Sequence, residues 1–544
     1  MKIDHRDMMV LGDEAVSYGA IDSGLKAAYA YPGTPSTEIV EGIQAIFKGN
    51  EQGRIASWVA NEKVSYEMAL GNSYVGFRSL VTMKHVGLNV AMDPFMNSAL
   101  TGIQGGLVLV VADDPGMHSS QNEQDSRYLV DFAHLPCLEP STTQEAYDYT
   151  CHAFELSEAL GVPVVVRLVT RLAHSRGMIK RKEEMTPVES LGVPKAECKN
   201  DWVLVPSIAR KRYRKLREKL KKMLTVSNAY NKTSLSGHKR GVVLSGMGRA
   251  YFNQLCRENP NLKEYNMLNV CAYPLSLTNL RKFIQSSEEI FVFEENYPYL
   301  EDKVRDMGQG KIVYGRRDNS IPMDGELTPL LIKNCLGIEL GESKKIPEFE
   351  VPARPPKLCS GCGHVDTFKA LKEALANLGI KDPRIFGDIG CYTLGVMPPF
   401  DMISTCVEMG ASVGMALGAA QAGYEPAVGV IGDSTFVHSG LPTFVSFAKS
   451  NVNVNLVIMD NRITGMTGQQ PTIVTDVFEK MAESFGLSPD QIHILIPLPK
   501  HHEENVKYLE KVLSQKRPDL IIFRRECIQA LRKGLYKEID KQKE

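Results

Sequence analysis

At 544 residues the chain has room for three or four domains of ordinary size, and 43% hydrophobic residues can fill several cores. The 63 basic and 64 acidic residues nearly cancel, which excludes a global field drawing the chain to nucleic acid or an anionic membrane. The 11 cysteines are scattered rather than set in a secreted disulfide framework, the opening MKIDHRD is too polar for a signal peptide, and no apolar run reaches membrane-spanning length, so a soluble cytoplasmic protein is expected.

Residues 1–200 alternate strand candidates with helical stretches. The runs at 80–83 (LVTM), 106–111 (GLVLVV) and 162–166 (VPVVV) read as strands buried on both faces, which predicts a doubly wound parallel-sheet domain. Residues 31–36 (YPGTPS) form a rigid loop displaying hydroxyls, Thr34 among them, or simply a turn whose Ser36 caps the next helix. Glu62, after Asn61, opens a helix, where a carboxylate is favoured by the helix dipole. Lys84 and His85 follow the 80–83 strand directly, at the edge where a parallel sheet keeps its site, and supply a cation or donor for a carboxylate. Residues 112–127 form a long polar loop ending at Arg127; loops of that length are commonly functional, the alternative being a mobile surface loop.

A basic stretch, 201–236, carries RKRYRKLREKLKK at 210–222 and reads either as a solvated connecting helix or as a docking surface for an acidic partner such as a ferredoxin. A smaller α/β domain is expected at 237–345 and a proline-rich linker at 346–356. The remainder, 357–544, carries the strongest signal. Gly432-Asp433-Ser434 follows the apolar run 427–431, and Asp460-Asn461 follows the run 454–459, with a helix-length segment between: one βαβ unit whose carboxyl edge binds ligands. Asp433 and the Asn461 side-chain oxygen suit Mg2+, which takes one or two protein oxygens and completes its octahedron with phosphate and water. The bland reading of Gly-Asp-Ser is a strand-to-helix turn with an Asx cap. Cys359, Cys362, Cys391 and Cys527 lie in turns or at strand ends, a set that a [4Fe-4S] cluster or zinc accepts, while Cys359 and Cys362 alone could form a redox dithiol. Cys137, Cys151, Cys256, Cys271 and Cys335 read as small core residues, and Gly410, Gly414 and Gly418 predict a helix that packs closely on a neighbour.

In their order and coverage these stretches resemble the alpha subunits of the indolepyruvate branch of the 2-oxoacid:ferredoxin oxidoreductases, over about residues 8–530. The resemblance rests on 31–36, 61–64, 82–89 and the 113–127 loop. It rests equally on Cys359-x-Gly361-Cys362, 388–395 (DIGCYTLG), the 28-residue interval from Asp433 to Asn461 (461 minus 433), and 460–468. It implies two thiamine diphosphate-binding domains, of pyrimidine and diphosphate type, flanking the smaller α/β domain. Glu62 would meet the aminopyrimidine ring; Gly432, Asp433, Ser434, Asn461 and the backbone carbonyl of Ile463 would hold Mg2+ and the diphosphate. The four cysteines match the positions of a cofactor-proximal [4Fe-4S] cluster, and Thr34, Lys84, His85 and Arg127 become substrate candidates. The implied reaction is oxidative decarboxylation of an arylpyruvate, with coenzyme A taking the acyl group and ferredoxin the electrons. The implied partners are a smaller beta subunit and a second alpha chain, as a homodimer or an α2β2 assembly.

Three departures qualify the match. Ser434 stands where family members usually have Gly, and Gln469 where they have His. The chain stops 17 residues after Cys527 (544 minus 527) without the family's eight-cysteine ferredoxin-like domain, so a separate ferredoxin or ferredoxin-like subunit is expected. The alternatives are a non-oxidative thiamine-dependent decarboxylase releasing an aldehyde, and a zinc-stapled scaffold without activity.

Overall fold

The computed structural model describes residues 6–48, 53–192, 202–339, 352 and 355–537. The chain divides into two compact units, Met1–Ile346 and Pro347–Glu544, each described here by itself. Most of the expected proline-rich linker and the expected boundary at 200 lie outside the described residues.

The first unit is built on a seven-stranded sheet in the order Ala272–Tyr273, Cys137–Leu138, Val164–Val169, Leu107–Asp113, Ser79–Lys84, Ala27–Ala30, Ile55–Trp58. All neighbours run parallel except the edge pair at Ala272–Tyr273. Side chains alternate across the pleat: Val81, Leu109, Val111 and Val165 enter one core, while Leu80, Val108, Val110 and Val164 enter the other. Both faces are covered, so the strands read as continuous apolar runs.

A five-stranded sheet in the order Ile312–Tyr314, Glu289–Phe293, Arg240–Ser245, Asn266–Val270, Lys232–Ser234 forms the expected smaller α/β layer. It belongs to the same unit, since Ala272–Tyr273, just beyond one of its strands, completes the edge of the larger sheet. The basic stretch is the helix Pro206–Tyr230. It is only half solvated: Leu216, Met223 and Ser227 are buried, Arg212 donates to the carbonyl of Leu100 at 3.0 Å, and Lys219 to that of Gly161 at 2.9 Å.

The second unit carries a wholly parallel sheet in the order Ile385–Gly387, Ala427–Gly432, Val454–Asp460, Asp519–Arg524, Ile492–Leu495. Val428, Val430, Val457 and Ile521 face one core, Ala427, Leu456, Ile458 and Ile522 the other. The expected close-packed helix is Ala411–Gln421, but its glycines are unequal. Gly410, at φ +89°, lies so near Ser439 that a Cβ would fall 2.6 Å from the Ser439 carbonyl carbon, whereas Gly418 has nothing within 4 Å. Close approach is confined to the start of that helix.

Candidate functional site

In the second unit, loops after four neighbouring strands carry the chemistry. Asp388 and Cys391 follow Ile385–Gly387, Asp433 follows Ala427–Gly432, Asn461 follows Val454–Asp460, and Cys527 follows Asp519–Arg524. This is the carboxyl edge, where open parallel sheets bind ligands.

Asp433 is 2% exposed and ties two of these loops together. Its Oδ1 accepts from the Ser434 amide at 2.8 Å, and its Oδ2 from the amides of Asn461 at 3.2 Å and Arg462 at 2.5 Å. Arg462 sits at φ +63°, and this left-handed residue turns the chain so that its amide reaches back. The Asn461 Oδ1 accepts from the Ile463 amide at 3.0 Å, and the Ser434 hydroxyl lies 2.9 Å from that of Thr464. Burial, followed by the charge of Asp460, pushes Asp433 up to about 8. Asp460 itself holds Arg524 at 2.7 Å through one oxygen and leaves its other oxygen buried without a hydrogen-bond partner. A carboxylate oxygen, an amide oxygen and the Ile463 backbone in so dry and acidic a place fit a hard divalent cation.

The four expected cysteines come together in this unit. Cys362 precedes the helix Gly363–Asn377; burial raises its thiol, opposed by the amides of His364 and Val365. Cys391 is raised to about 12, by burial first and then by Cys362, Cys527 and Cys359. Yet among the described residues no three of them lie within 4.8 Å of one another. Tetrahedral zinc, with Zn–S bonds near 2.3 Å, needs sulfurs about 3.8 Å apart. A [4Fe-4S] cluster, larger than a zinc ion, also takes four cysteine sulfurs. Gly465 leaves room for it, since a Cβ there would stand 3.1 Å from the Cys391 sulfur. The Cys527 amide donates to the Tyr536 hydroxyl at 2.7 Å, which donates at 2.7 Å to the Asn461 carbonyl, linking the cysteine loop to the cation loop.

Sequence reasoning missed the clamp beneath Cys391. Asp388, fully buried, accepts from Ser412 Oγ at 2.6 Å, the Gly410 amide at 3.1 Å and the Tyr392 hydroxyl. Burial raises it to about 6. The signal available was the Gly387-Asp388-Ile389-Gly390 loop at a strand end.

In the first unit, Glu62 opens the helix Glu62–Tyr74, whose Asn61 cap accepts from the Val64 amide at 2.9 Å. Glu62 is 5% exposed and lies against Gly87, where a Cβ would fall 2.6 Å from its Cγ and 2.7 Å from its Oε1. Lys84 donates at 2.9 Å to the Ser119 carbonyl, and Ser119 Oγ donates at 3.2 Å to the Thr34 carbonyl. The 31–36 loop, the Lys84 strand end and the 112–127 loop thus meet at one place. Burial pushes Lys84 down to about 8, against the pull of Asp114 and Glu62. His85 is buried; its Nε2 lies 3.2 Å from both oxygens of Asn122, and its Nδ1 has no hydrogen-bond partner.

Two expectations are corrected here. Arg127 is no substrate contact: it is 1% exposed, with its guanidinium spent on Asp125, Glu294 at 2.8 Å, Tyr273 and the Glu295 carbonyl at 2.9 Å. It braces the large sheet against the smaller one. Nor does the Ser36 side chain cap its helix; its hydroxyl donates to the Gly33 carbonyl at 2.8 Å instead. The 112–127 loop is held down at Asp114, which accepts from the Ser119 amide at 2.8 Å and from Thr170 Oγ1 at 2.7 Å.

Residues 388–521 match the family described as thiamine pyrophosphate enzyme, C-terminal TPP binding domain, and residues 18–216 match pyruvate flavodoxin/ferredoxin oxidoreductase, thiamine diP-bdg. Fold, edge geometry and these matches define a thiamine diphosphate-dependent enzyme of the 2-oxoacid oxidoreductase class. The indolepyruvate oxidoreductase subunit IorA of Archaeoglobus fulgidus is 38% identical over 85% of this chain and 76% of its own length. That of Pyrococcus abyssi is 34% identical over 96% and 85%. The chain belongs to this family of indolepyruvate oxidoreductase alpha subunits. A solved 2-oxoglutarate:ferredoxin oxidoreductase from Magnetococcus marinus aligns with 61% of this chain and 65% of its own at a TM-score of 0.48 and 18% identity. Among the described residues no helix is long and apolar enough to cross a membrane.

Proposed function

We propose that the chain carries out the oxidative decarboxylation of an arylpyruvate such as indolepyruvate: the 2-oxoacid and the coenzyme A thiol give acyl-CoA, CO2, one proton and two electrons for a ferredoxin. The observation that carries this reading is the gathering of Asp433, Asn461, Cys391 and Cys527 on one sheet edge, with Cys362 and Cys359 acting on Cys391 from the turn before the helix Gly363–Asn377. Bound thiamine diphosphate supplies the carbanion chemistry that decarboxylation needs, and a [4Fe-4S] cluster supplies one-electron transfer. Asp433, Asn461 and the Ile463 carbonyl hold Mg2+ and through it the diphosphate. Glu62 holds the aminopyrimidine ring, and Gly87 leaves the room that this carboxyl needs. Cys359, Cys362, Cys391 and Cys527 hold the cluster.

Lys84 and His85, with Thr34 beside them, receive the substrate carboxylate and keto oxygen. Because Lys84 loses its proton as the pH rises through about 8, kcat/KM for an anionic 2-oxoacid is expected to fall above that pH. Lys84→Arg is expected to move the fall to higher pH; a profile unchanged in the variant would remove Lys84 from the substrate site. The exposed face of the Pro206–Tyr230 helix, with Arg210, Lys211, Arg214, Lys215, Lys221 and Lys222, suits an acidic ferredoxin. A smaller beta subunit and a second alpha chain complete the proposed assembly.

The test is iron and acid-labile sulfide in anaerobically purified protein, with the paramagnetic resonance spectrum after adding indolepyruvate, thiamine diphosphate and coenzyme A. About four irons per chain and a substrate-reduced signal are expected. Cys391→Ser is expected to lose most of the iron and the ferredoxin reduction while retaining thiamine diphosphate binding. Absence of iron with aldehyde accumulating would establish the non-oxidative decarboxylase instead.

A further inference from the structure

Three elements of the first unit converge on Asp13, Glu38 and His174. Asp13 lies in the first turn of the helix Gly12–Asp22, Glu38 in the first turn of Thr37–Phe47, and His174 directly after Thr170–Ala173. Their placement is built. The Gly12 amide donates to the Ser175 carbonyl at 3.0 Å, and a Cβ on Gly12 would fall 2.1 Å from the Leu172 carbonyl oxygen. Only glycine lets that helix start press against the 172–175 segment and carry Asp13 to His174. Ser17 Oγ, donating at 2.7 Å to the Ile39 carbonyl, fixes the two longer helices to each other.

One ligand atom from each of the three side chains lies within 4.8 Å of the others, and His174 Nε2 stands 3.7 Å from Glu38 Oε2. The second observation is independent of this proximity. Asp13 is 0% exposed, and neither of its carboxylate oxygens has a hydrogen-bond partner. A carboxylate buried without hydrogen bonds is costly unless a cation neutralises it. Glu14, the other acidic group in this helix's first turn, bonds the Leu11 amide at 2.8 Å, and Asp114 acts on His174 from the neighbouring loop. Neither Glu14 nor Asp114 brings a positive charge, and His174, raised first by Glu38, pairs with that carboxylate rather than with Asp13. Among the described residues no Arg or Lys acts on Asp13.

We propose that Asp13, Glu38 and His174 form a divalent-metal site separate from the Asp433 cation site. One imidazole nitrogen and two carboxylates are the donor set of Zn2+, Mn2+ and Fe2+. The Glu38 and His174 side chains are about one-third exposed, 36% and 37%, so they close on an ion while Asp13 stays fixed, and they leave a path for it to enter. The metal joins the helix that follows the Thr34 loop to the first helix of the chain.

Manganese is the probe, because the cysteines prefer softer ions. The full chain is saturated with thiamine diphosphate and excess Mg2+ to fill the Asp433 site, then titrated with Mn2+ while free Mn2+ is read by paramagnetic resonance. One Mn2+ per chain is expected. Asp13→Asn and His174→Gln are each expected to weaken it at least about 10-fold, as loss of metal-site groups does. If Asp13→Asn fails to fold, His174→Gln, altered at a partly exposed position, carries the test. No Mn2+ bound by the unaltered chain under excess Mg2+, or equal binding by folded variants, overturns the site and leaves Asp13 a protonated acid.

Discussion

Replacing Arg167 with Met is expected to lower the stability of the first unit by about 3–5 kcal/mol, the cost of breaking a buried ion pair from one side. Arg167 is 1% exposed. Its Nε donates to Asp113 at 2.7 Å and one terminal nitrogen to Asn296 Oδ1 at 2.7 Å; the other meets Glu139. Asp125 stands 3.6 Å away, and Arg127 shares it. The network therefore spans the large sheet, at Asp113 and Glu139, and the end of the Glu289–Phe293 strand of the smaller one. Met fills much of the volume but leaves the buried carboxyls of Asp113 and Glu139 without their guanidinium partner. Both tryptophans of the chain, Trp58 and Trp202, belong to the first unit, so the urea midpoint of tryptophan fluorescence reports on it alone. Adding Asp113→Asn to Arg167→Met is expected to recover part of the loss, because the double variant removes one of the stranded charges. A midpoint equal to that of the unaltered chain would mean that water or the remaining arginine serves Asp113 and Glu139 well enough, and the network would not be the brace described.

What the sequence made legible follows from strand ends. Runs such as 427–431 and 454–459 are apolar at nearly every position, Asn455 being the exception, because both sheet faces are covered, and the polar residues that terminate them fall on an edge. That is why Asp433, Asn461 and Cys391 could be placed in loops at strand ends before any coordinates. Partners were not legible. Arg127, at the end of the 112–127 loop, and Lys84, at a strand end, both read as cations near the sheet edge, yet one is locked among Asp125, Glu294 and Tyr273 while the other donates to the Ser119 carbonyl. The difference comes largely from the end of the Glu289–Phe293 strand of the smaller sheet, where Glu294 lies 167 positions away in the chain (294 minus 127). The burial of the basic helix was readable after all: Leu216, Leu220, Met223 and Ser227 recur at intervals of four, three and four, one helical stripe beneath a surface of charges. The Asp13 cluster carried no such pattern, since its three residues come from three elements brought together by the close approach at Gly12 and the bond from Ser17 to the Ile39 carbonyl.

Asp433→Asn is expected to weaken Mg2+-dependent binding of thiamine diphosphate by about 100-fold or more, since even supporting groups around a metal cost 10–100-fold. The change is nearly isosteric but alters two things. It removes the charge that a hard cation needs, and it replaces an oxygen by an amide nitrogen where the backbone amides of Ser434, Asn461 and Arg462 all donate. At least one loop amide then faces another donor, so the loop carrying Asn461 and Ile463 loosens as well. The two effects separate when cofactor affinity is measured by calorimetry with Mg2+ and again with chelator. In the unaltered chain Mg2+ is expected to strengthen binding greatly; in Asp433→Asn the two affinities should be nearly equal, which a loosened loop alone would not produce. Ser434→Gly supplies the contrast. It removes the hydroxyl that meets Thr464 at 2.9 Å while keeping the backbone amide, and it is expected to leave Mg2+ dependence intact. If instead Asp433→Asn keeps the full Mg2+ effect, Asp433 is a turn cap stabilising the junction of two strands, and the cation must be held elsewhere on the edge, where the unpartnered oxygen of Asp460 is the next donor.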